Sequence, residues 1–332
     1  MKNHLATSAI LIIGSNSFSG SSFVDFLLKK KLFVIGISRR KEISPVFLRY
    51  FNNKNKKKFF KFYKCDLNKD IFIFKKIIKK FKPSIIINFS SQGMVEQSWK
   101  NPIDWYRTNI LAQTSMIDVL KNDLSIKIFI QFTTPEVYGS IPNKTKEKFS
   151  FKPTTPYAIS RAAFDLHLLN LFKFFKFPVI FTRAANVYGE HQQLFRVIPR
   201  SLISKVTSLK INLDGGGSSI RSFIHIDDVS EALYKIILSG KVGDTYHIST
   251  NKFISISSLV KKILNNKNEL ISVSPERIGK DMSYKLNSNK IRQKLLWKDK
   301  ISLDQGIKRT FNWIKNNKKL LSRFSKVYKH IK

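Results

Sequence analysis

The chain has 332 residues, room for about two domains at roughly 150 residues each, and its 42% hydrophobic and 13% aromatic content excludes a disordered chain. One cysteine, Cys65, excludes a disulfide framework and a cysteine-based zinc site. The net charge is +38, but only 13 of the 60 basic residues are Arg, and the lysines are scattered with abundant Asn, Ile and Phe, which reads as compositional bias rather than a nucleic-acid patch and still favours an anionic ligand.

The first half alternates strand-length apolar runs at 8–13, 33–38, 59–64, 84–89, 127–133 and 178–184 with amphipathic stretches at 20–31, 70–81, 103–122 and 157–176. Such alternation predicts a doubly wound parallel sheet of the Rossmann type, its strands apolar on both faces because helices cover both. From about residue 190 the texture changes. A helix at 196–207, Gly215-Gly216-Gly217, a strand at 222–226, a helix at 227–239, a strand at 244–249 and helices at 256–265 and 303–317 follow. The expected α/β architecture is a dinucleotide-binding domain over 1–189 and a smaller C-terminal substrate-binding domain over 190–317, with the chain crossing back at about 218–250. The basic tail 318–332 is expected to be frayed. The longest apolar runs, such as 9–13, are far short of a membrane span, and Met1–Ala6 shows no signal-length apolar region. A cytoplasmic protein with neither membrane nor nucleic-acid partners is the expectation.

Gly14-Ser15-Asn16-Ser17-Phe18-Ser19-Gly20 follows the first strand and opens the first helix. Gly14 permits the tight turn, Gly20 allows the helix to pack close, and the first amides of the helix face a pyrophosphate. The second strand runs into Ser38-Arg39-Arg40, with no acid to bind a ribose 2′-hydroxyl. A hydroxyl and two guanidiniums suit a 2′-phosphate, so NADP is favoured and NAD is the alternative. Asp66-Leu67 after the third strand is placed for the adenine edge, and Asn88–Gln92, including Ser90, is small and polar where the cofactor would cross the sheet.

With Thr134-Pro135-Glu136-Val137-Tyr138-Gly139, Pro156-Tyr157-Ala158-Ile159-Ser160-Arg161, Arg183–Gly189 and Arg221–Val229 added to these elements, the whole chain resembles the extended short-chain dehydrogenase/reductase family, specifically its nucleotide-sugar epimerases and dehydratases. The resemblance places the family's Tyr-x-x-x-Lys pair on Tyr157 and Arg161. Four residues apart on a helix, they share a face, and the cation makes the phenol a more useful base. Arg161 departs from the family's Lys: it supplies charge and can bind the nicotinamide ribose, but it releases no proton at working pH. Thr134 matches the Ser/Thr that binds the substrate 4-oxygen, with a one-residue slip to Thr133 left open.

Glu136 matches the dehydratase base. Pro135 stands where the dTDP-glucose type carries an acid and the GDP-mannose type does not. Gly36-Ile37-Ser38-Arg39-Arg40 also resembles the GDP-mannose type, so the resemblance leans to GDP-mannose. It implies a 4,6-dehydratase with a tightly held cofactor, acting in nucleotide-sugar metabolism and polysaccharide biosynthesis, and a homodimer or tetramer paired through helices like 103–122 and 157–176. It also implies substrate contacts at Gln92, Asn186, Arg196, Arg200, Arg221 and Arg277, with Arg221 and Arg277 on the diphosphate. Glu96 is a further candidate for the sugar pocket. The six histidines show no metal spacing, and Asp227 is read as capping the helix that follows rather than as a ligand. A 4-epimerase of the same family, with Glu136 a bystander, and a non-catalytic nucleotide- or nucleic-acid-binding protein stay open as alternatives.

Overall fold

The computed structural model describes residues 8–330; Met1–Ala6, on which the leader expectation rested, and the last two residues of the tail lie outside the described residues. Seven strands form one parallel sheet: β1 (Ile10–Ile13), β2 (Val34–Ser38), β3 (Phe60–Lys64), β4 (Ile85–Asn88), β5 (Ile128–Thr133), β6 (Val179–Ala184) and β7 (Thr245–Ile248). Their spatial order is β7-β6-β5-β4-β1-β2-β3, and every pairing is parallel. The order reverses between β1 and β4, and ligands of such sheets sit beyond the carboxyl ends of the strands at that point.

Alternate residues of β1 explain its unbroken apolar run. Ile10 and Ile12 pack beneath α1 (Phe18–Lys29) and α6 (Ile226–Ser239). Leu11 and Ile13 pack on the opposite face beneath α2 (Ile71–Phe81), α3 (Ala112–Leu120) and α4 (Pro156–Phe175). The chain beyond residue 190 returns to this body: β7 extends the sheet beside β6, and α6 packs on α1. A separate core, including Leu194, Ile198, Leu202, Leu259, Ile263, Trp313 and Ile314, is built from α5 (Val197–Thr207), α7 (Ile256–Leu264) and α8 (Leu303–Asn316). Short strand pairs complete this lobe. Asn186–Tyr188 runs beside Phe223–His225, and Ile211–Asp214 beside Ile271–Ser274.

The structure departs from the sequence expectations in four places. The stretch 103–122 is a helix at Pro102–Tyr106, a π-turn at Arg107–Leu111 and then α3, and the wider turn buries Asn109. Ile141–Thr145 forms a strand beside Tyr284–Leu286, hidden in the sequence because Pro142-Asn143-Lys144 breaks the apolar pattern. The helix that Asp227 was to cap is capped by His225, whose Nδ1 accepts from the Asp227 amide (3.2 Å). The Asp227 carboxylate is instead held by Arg49 and Arg309. Finally, the tail is packed: Leu321 is buried, Phe324 meets Phe47 edge-on at 4.9 Å, and Tyr328 and His330 dock onto the body. Its aromatic residues, spaced among lysines, supply the apolar area that a purely basic tail would lack.

Among the described residues, no helix is long and apolar enough to cross a membrane, and no cluster of three metal-ligating side chains occurs.

Candidate active site

A cavity of about 800 Å³ opens at the carboxyl ends of the strands, between the sheet and the C-terminal lobe. Its floor on the β1 side is the turn into α1. Gly14 sits at φ 83°, a left-handed conformation that favours glycine, and a Cβ there would strike the Ser90 amide at 2.9 Å. A Cβ on Gly20 would press into the Gly14 carbonyl oxygen. Ser17 caps α1 by accepting from the Gly20 amide (3.0 Å). The remaining first-turn amides have no intrahelical partner, as helix geometry requires, and offer donors to an anion. Ser38 Oγ accepts from the Asn16 amide (2.9 Å), and the Asn16 side chain donates to the Arg40 and Lys41 carbonyls. The β1 turn is thereby clipped to the end of β2. This cradle of crowding glycines and open amides fits a dinucleotide pyrophosphate.

Ser17, Phe18 and Arg39 line the cavity; Gly14, Asn16, Gly20, Ser38, Arg40, Asp66, Leu67 and Ser90 stand outside its lining. Arg40 is exposed. Asp66 Oδ1 accepts from the Asn68 amide, and Leu67 packs on the core beneath α2. Ser90 is a link: its carbonyl accepts from Gln113 and Arg161.

Tyr157 lies in the first turn of α4, which Thr155 caps. Arg161, one turn on, is 2% exposed; Nη2 donates to the Phe132 carbonyl (2.6 Å) and Nη1 to the Ser90 carbonyl (3.4 Å), while Nε has no hydrogen-bond partner. Burial raises the Tyr157 phenol above its ordinary range, whereas the Arg161 charge and the Thr134 hydroxyl pull it back down. Thr133, whose Oγ1 has no hydrogen-bond partner among the described residues, instead lowers Asp165, which burial raises and which is ion-paired with Arg183 in the interior. That difference separates the two candidate threonines: Thr134 is the one beside the phenol.

Glu136, in the short 3-10 turn Pro135–Tyr138, projects into the same cavity. Burial pushes its carboxyl up to about 7; Asp281 pushes the same way, and Arg221, Arg196 and Arg277 only partly oppose it. No hydrogen bond among the described residues reaches that carboxylate. Arg196 is exposed and lines the cavity, where desolvation depresses its pKa. Its guanidinium has no hydrogen-bond partner among the described residues and feels Tyr157, Glu136, Tyr284 and Tyr328.

Arg221 stacks on Tyr284 at 4.2 Å and donates to the Ile220 and Asp281 carbonyls. Arg277 ion-pairs with Asp214 (2.8 Å). Both line the cavity with Arg200 and Asn186, the latter accepting from Tyr284 Oη. Gln92 and Glu96 line it too. Gln92 is buried, its amide donating to Asn109 Oδ1 (2.7 Å).

Four residues of this site were not singled out in the sequence. Asn109 fixes Gln92 from the π-turn, a distortion with no sequence signature. Tyr284 and Tyr328 line the cavity. His330, 3.1 Å from Gln92 Nε2, lies in the segment expected to be frayed. An aromatic recurring in a lysine-rich tail was the one available signal.

The profile of the family described as GDP-mannose 4,6 dehydratase matches residues 11–310. A dTDP-D-glucose 4,6-dehydratase of Dictyostelium discoideum is 31% identical, covering 96% of this chain and 84% of that protein. A dTDP-glucose 4,6-dehydratase of Haemophilus influenzae is 28% identical, covering 92% of this chain and 97% of its own. DesIV, a dTDP-glucose 4,6-dehydratase from Streptomyces venezuelae solved with NAD and TYD bound, superimposes with a TM-score of 0.87 at 23% identity, covering 94% of this chain and 98% of that one. At that identity the superposition shows the fold.

Proposed function

This chain belongs to the family described as GDP-mannose 4,6 dehydratase, and on that premise we propose that it converts a nucleoside-diphosphate hexose to the 4-keto-6-deoxy sugar with a nicotinamide dinucleotide. The observation that carries the reading is Glu136: a carboxyl held at about 7 by burial, in one cavity with Tyr157, Arg161 and the partly opposing Arg196, Arg221 and Arg277. A simple 4-epimerase has no use for such a group, whereas elimination needs a base and then an acid at the neighbouring carbons.

A dinucleotide held over the β1 turn by Gly14, Gly20 and the open first-turn amides of α1 would supply a reversible acceptor for the hydride that leaves C4 and returns at C6. Tyr157 takes the C4 hydroxyl proton, with Thr134 beside it on the 4-oxygen and the Arg161 charge favouring the phenolate. The C4 ketone acidifies the C5 proton, which Glu136 removes. Now protonated, Glu136 gives that proton to the C6 hydroxyl, which leaves as water, and C5 regains a proton from solvent once C6 has its hydride back. A pKa near working pH lets one carboxyl serve both steps. Pro135 offers no second acid beside it. Arg196, Arg221 and Arg277 bind the substrate diphosphate, Arg277 exchanging its bond to Asp214 for a phosphate oxygen.

For the sugar nucleotide, the named relatives favour dTDP-glucose, while the family description and Pro135 favour GDP-mannose. For the cofactor, Arg39 and Arg40 favour NADP, while a neighbouring structure carries NAD. Ile103, Leu111, Ile159 and Leu166 are exposed on the helices around Pro102–Leu120 and on α4, which supports self-association through that face.

The test is product mass after incubation with NAD or NADP and dTDP-glucose, UDP-glucose or GDP-mannose. Loss of one water supports the proposal and names the substrate. An isomer of unchanged mass contradicts it in favour of epimerisation, and no reaction with any of them contradicts it outright.

A further inference from the structure

The segment after α8 spans the cavity from one side to the other. At its near end Phe324 joins the core of the C-terminal lobe, against Phe47. At its far end His330 stacks on Trp105 (centroids 5.0 Å apart, planes 16° from parallel), and its Nε2 meets Asp104 Oδ2 at 2.7 Å. Trp105 and Asp104 belong to the helix Pro102–Tyr106 on the Rossmann side. Between these anchors Lys326, Val327 and Tyr328 line the cavity, and the Tyr328 ring rests edge-on against Phe195 at 5.4 Å.

We propose that residues 325–330 are a strap across the site and that Tyr328, seated on Gln92, binds the sugar and helps to select it. The proposal deepens the dehydratase reading and rests on it for the identity of the ligand.

Gln92 is the fixed point. Its backbone exchanges hydrogen bonds with the Asn109 side chain, whose amide also donates to Ser160 in α4. Its Oε1 lies 3.5 Å from Arg39 Nη2, and its Nε2 donates to Tyr328 Oη at 3.0 Å while facing His330 Nδ1. A phenol that accepts from Gln92 still has its own hydrogen to give. Tyr328 lines the same cavity as Tyr157 and Glu136; Arg39 and then Arg196 act on its phenol, and Arg196 acts on Tyr157 and Glu136 too, so Tyr328 borders the volume that the reacting groups share. A hexose hydroxyl in that volume offers the acceptor which the phenol needs. A sugar whose hydroxyl points elsewhere leaves the enclosed donor unmatched, and such mismatches discriminate more strongly than apolar contacts do.

The experiment compares the intact chain, Tyr328→Phe and a chain ended after Phe324, which keeps the Phe324 anchor. Calorimetry gives affinities for dTDP-glucose, UDP-glucose and GDP-mannose and for dTDP, UDP and GDP, and steady-state assays give KM and kcat wherever there is turnover. Tyr328→Phe is expected to weaken the preferred nucleotide sugar about tenfold, the scale of one hydrogen bond, while its free diphosphate binds as before. KM should rise more than kcat falls, and the shortened chain should lose as much or more. Equal weakening of nucleotide sugar and diphosphate, or no change in either, overturns the proposal. If the shortened chain does not fold, Tyr328→Phe decides alone. Sugar-selective weakening without any dehydration keeps the strap and removes the dehydratase reading. Dehydration with unaltered binding removes the strap alone.

Discussion

Two partly enclosed glutamates, Glu136 and Glu190, stand at opposite extremes. Glu190 accepts from His225 Nε2 (3.0 Å) and Arg309 Nε (2.8 Å), and these partners hold its carboxyl far below the usual range despite burial. Arg309 continues to Asp227, which also takes Arg49, itself within ion-pair reach of Asp25 in α1. That network ties the C-terminal lobe to the first helix. Glu136 has three arginines in its surroundings but none in hydrogen-bond contact, and burial wins. Nearby charge is therefore not what separates the two. A carboxylate given directional donors becomes a structural anion, and one left without them titrates near neutral pH.

The largest effect expected from breaking this contrast is on activity. Glu136→Gln should reduce dehydration by about 10²–10⁴-fold, the range for a lost general acid–base. In the intact protein the rate should fall as pH drops through about 7, because the step at C5 needs the ionised carboxyl. A rate profile flat across that range would remove Glu136 from the chemistry.

Glu190→Gln should instead cost stability, on the order of 2 kcal/mol for charge-assisted hydrogen bonds lost, read by denaturant unfolding. The Glu190 carboxyl is lowered in the folded state, so its contribution is present above the ordinary carboxylate pKa and fades as pH falls below it. The stability gap between variant and intact protein should close in acid.

Arg161→Lys sharpens the same contrast at the phenol. The guanidinium is fixed to two carbonyls, at Phe132 and Ser90, that a single ammonium reaches less well. The account predicts a loss in kcat of roughly tenfold, about 1.4 kcal/mol. A gain would mean that the site is better served by the family's lysine.

The smallest effect is thermal. The Glu136 carboxyl is raised, so the folded state favours its protonated form and is penalised as pH rises through about 7. Glu136→Gln should accordingly raise Tm at pH 8 by about one to two degrees, for about 1 kcal/mol, and by less at pH 5.

Much of this molecule was readable from the chain. Strands such as Ile10–Ile13 announce themselves because burial on both faces demands apolar residues at every position, and the turn after β1 because only glycine tolerates its crowding. Tyr157, Arg161 and Glu136 were found through motif resemblance, and the structure gathers them with Arg196, Arg221 and Arg277 around one cavity. What stayed hidden depends on contacts distant in sequence. The capping by His225 follows from the helix beginning at Ile226, which puts Asp227 inside the first turn, where Arg49 and Arg309 hold its carboxylate. Gln92 is placed by a π-turn, and Tyr328 reaches it across 236 residues of chain. Composition also misled: lysines made the tail 318–332 look frayed, although Leu321, Phe324, Tyr328 and His330 carry its described part onto the body.

The most direct test of Glu136 as proton carrier uses heavy water and the nucleotide sugar that the mass assay identifies. The intact protein should release a product lighter by one water and carrying one deuterium at C5, while Glu136→Gln, with cofactor bound, should reduce the dinucleotide without losing water. Dehydration by Glu136→Gln at the intact rate would contradict the account.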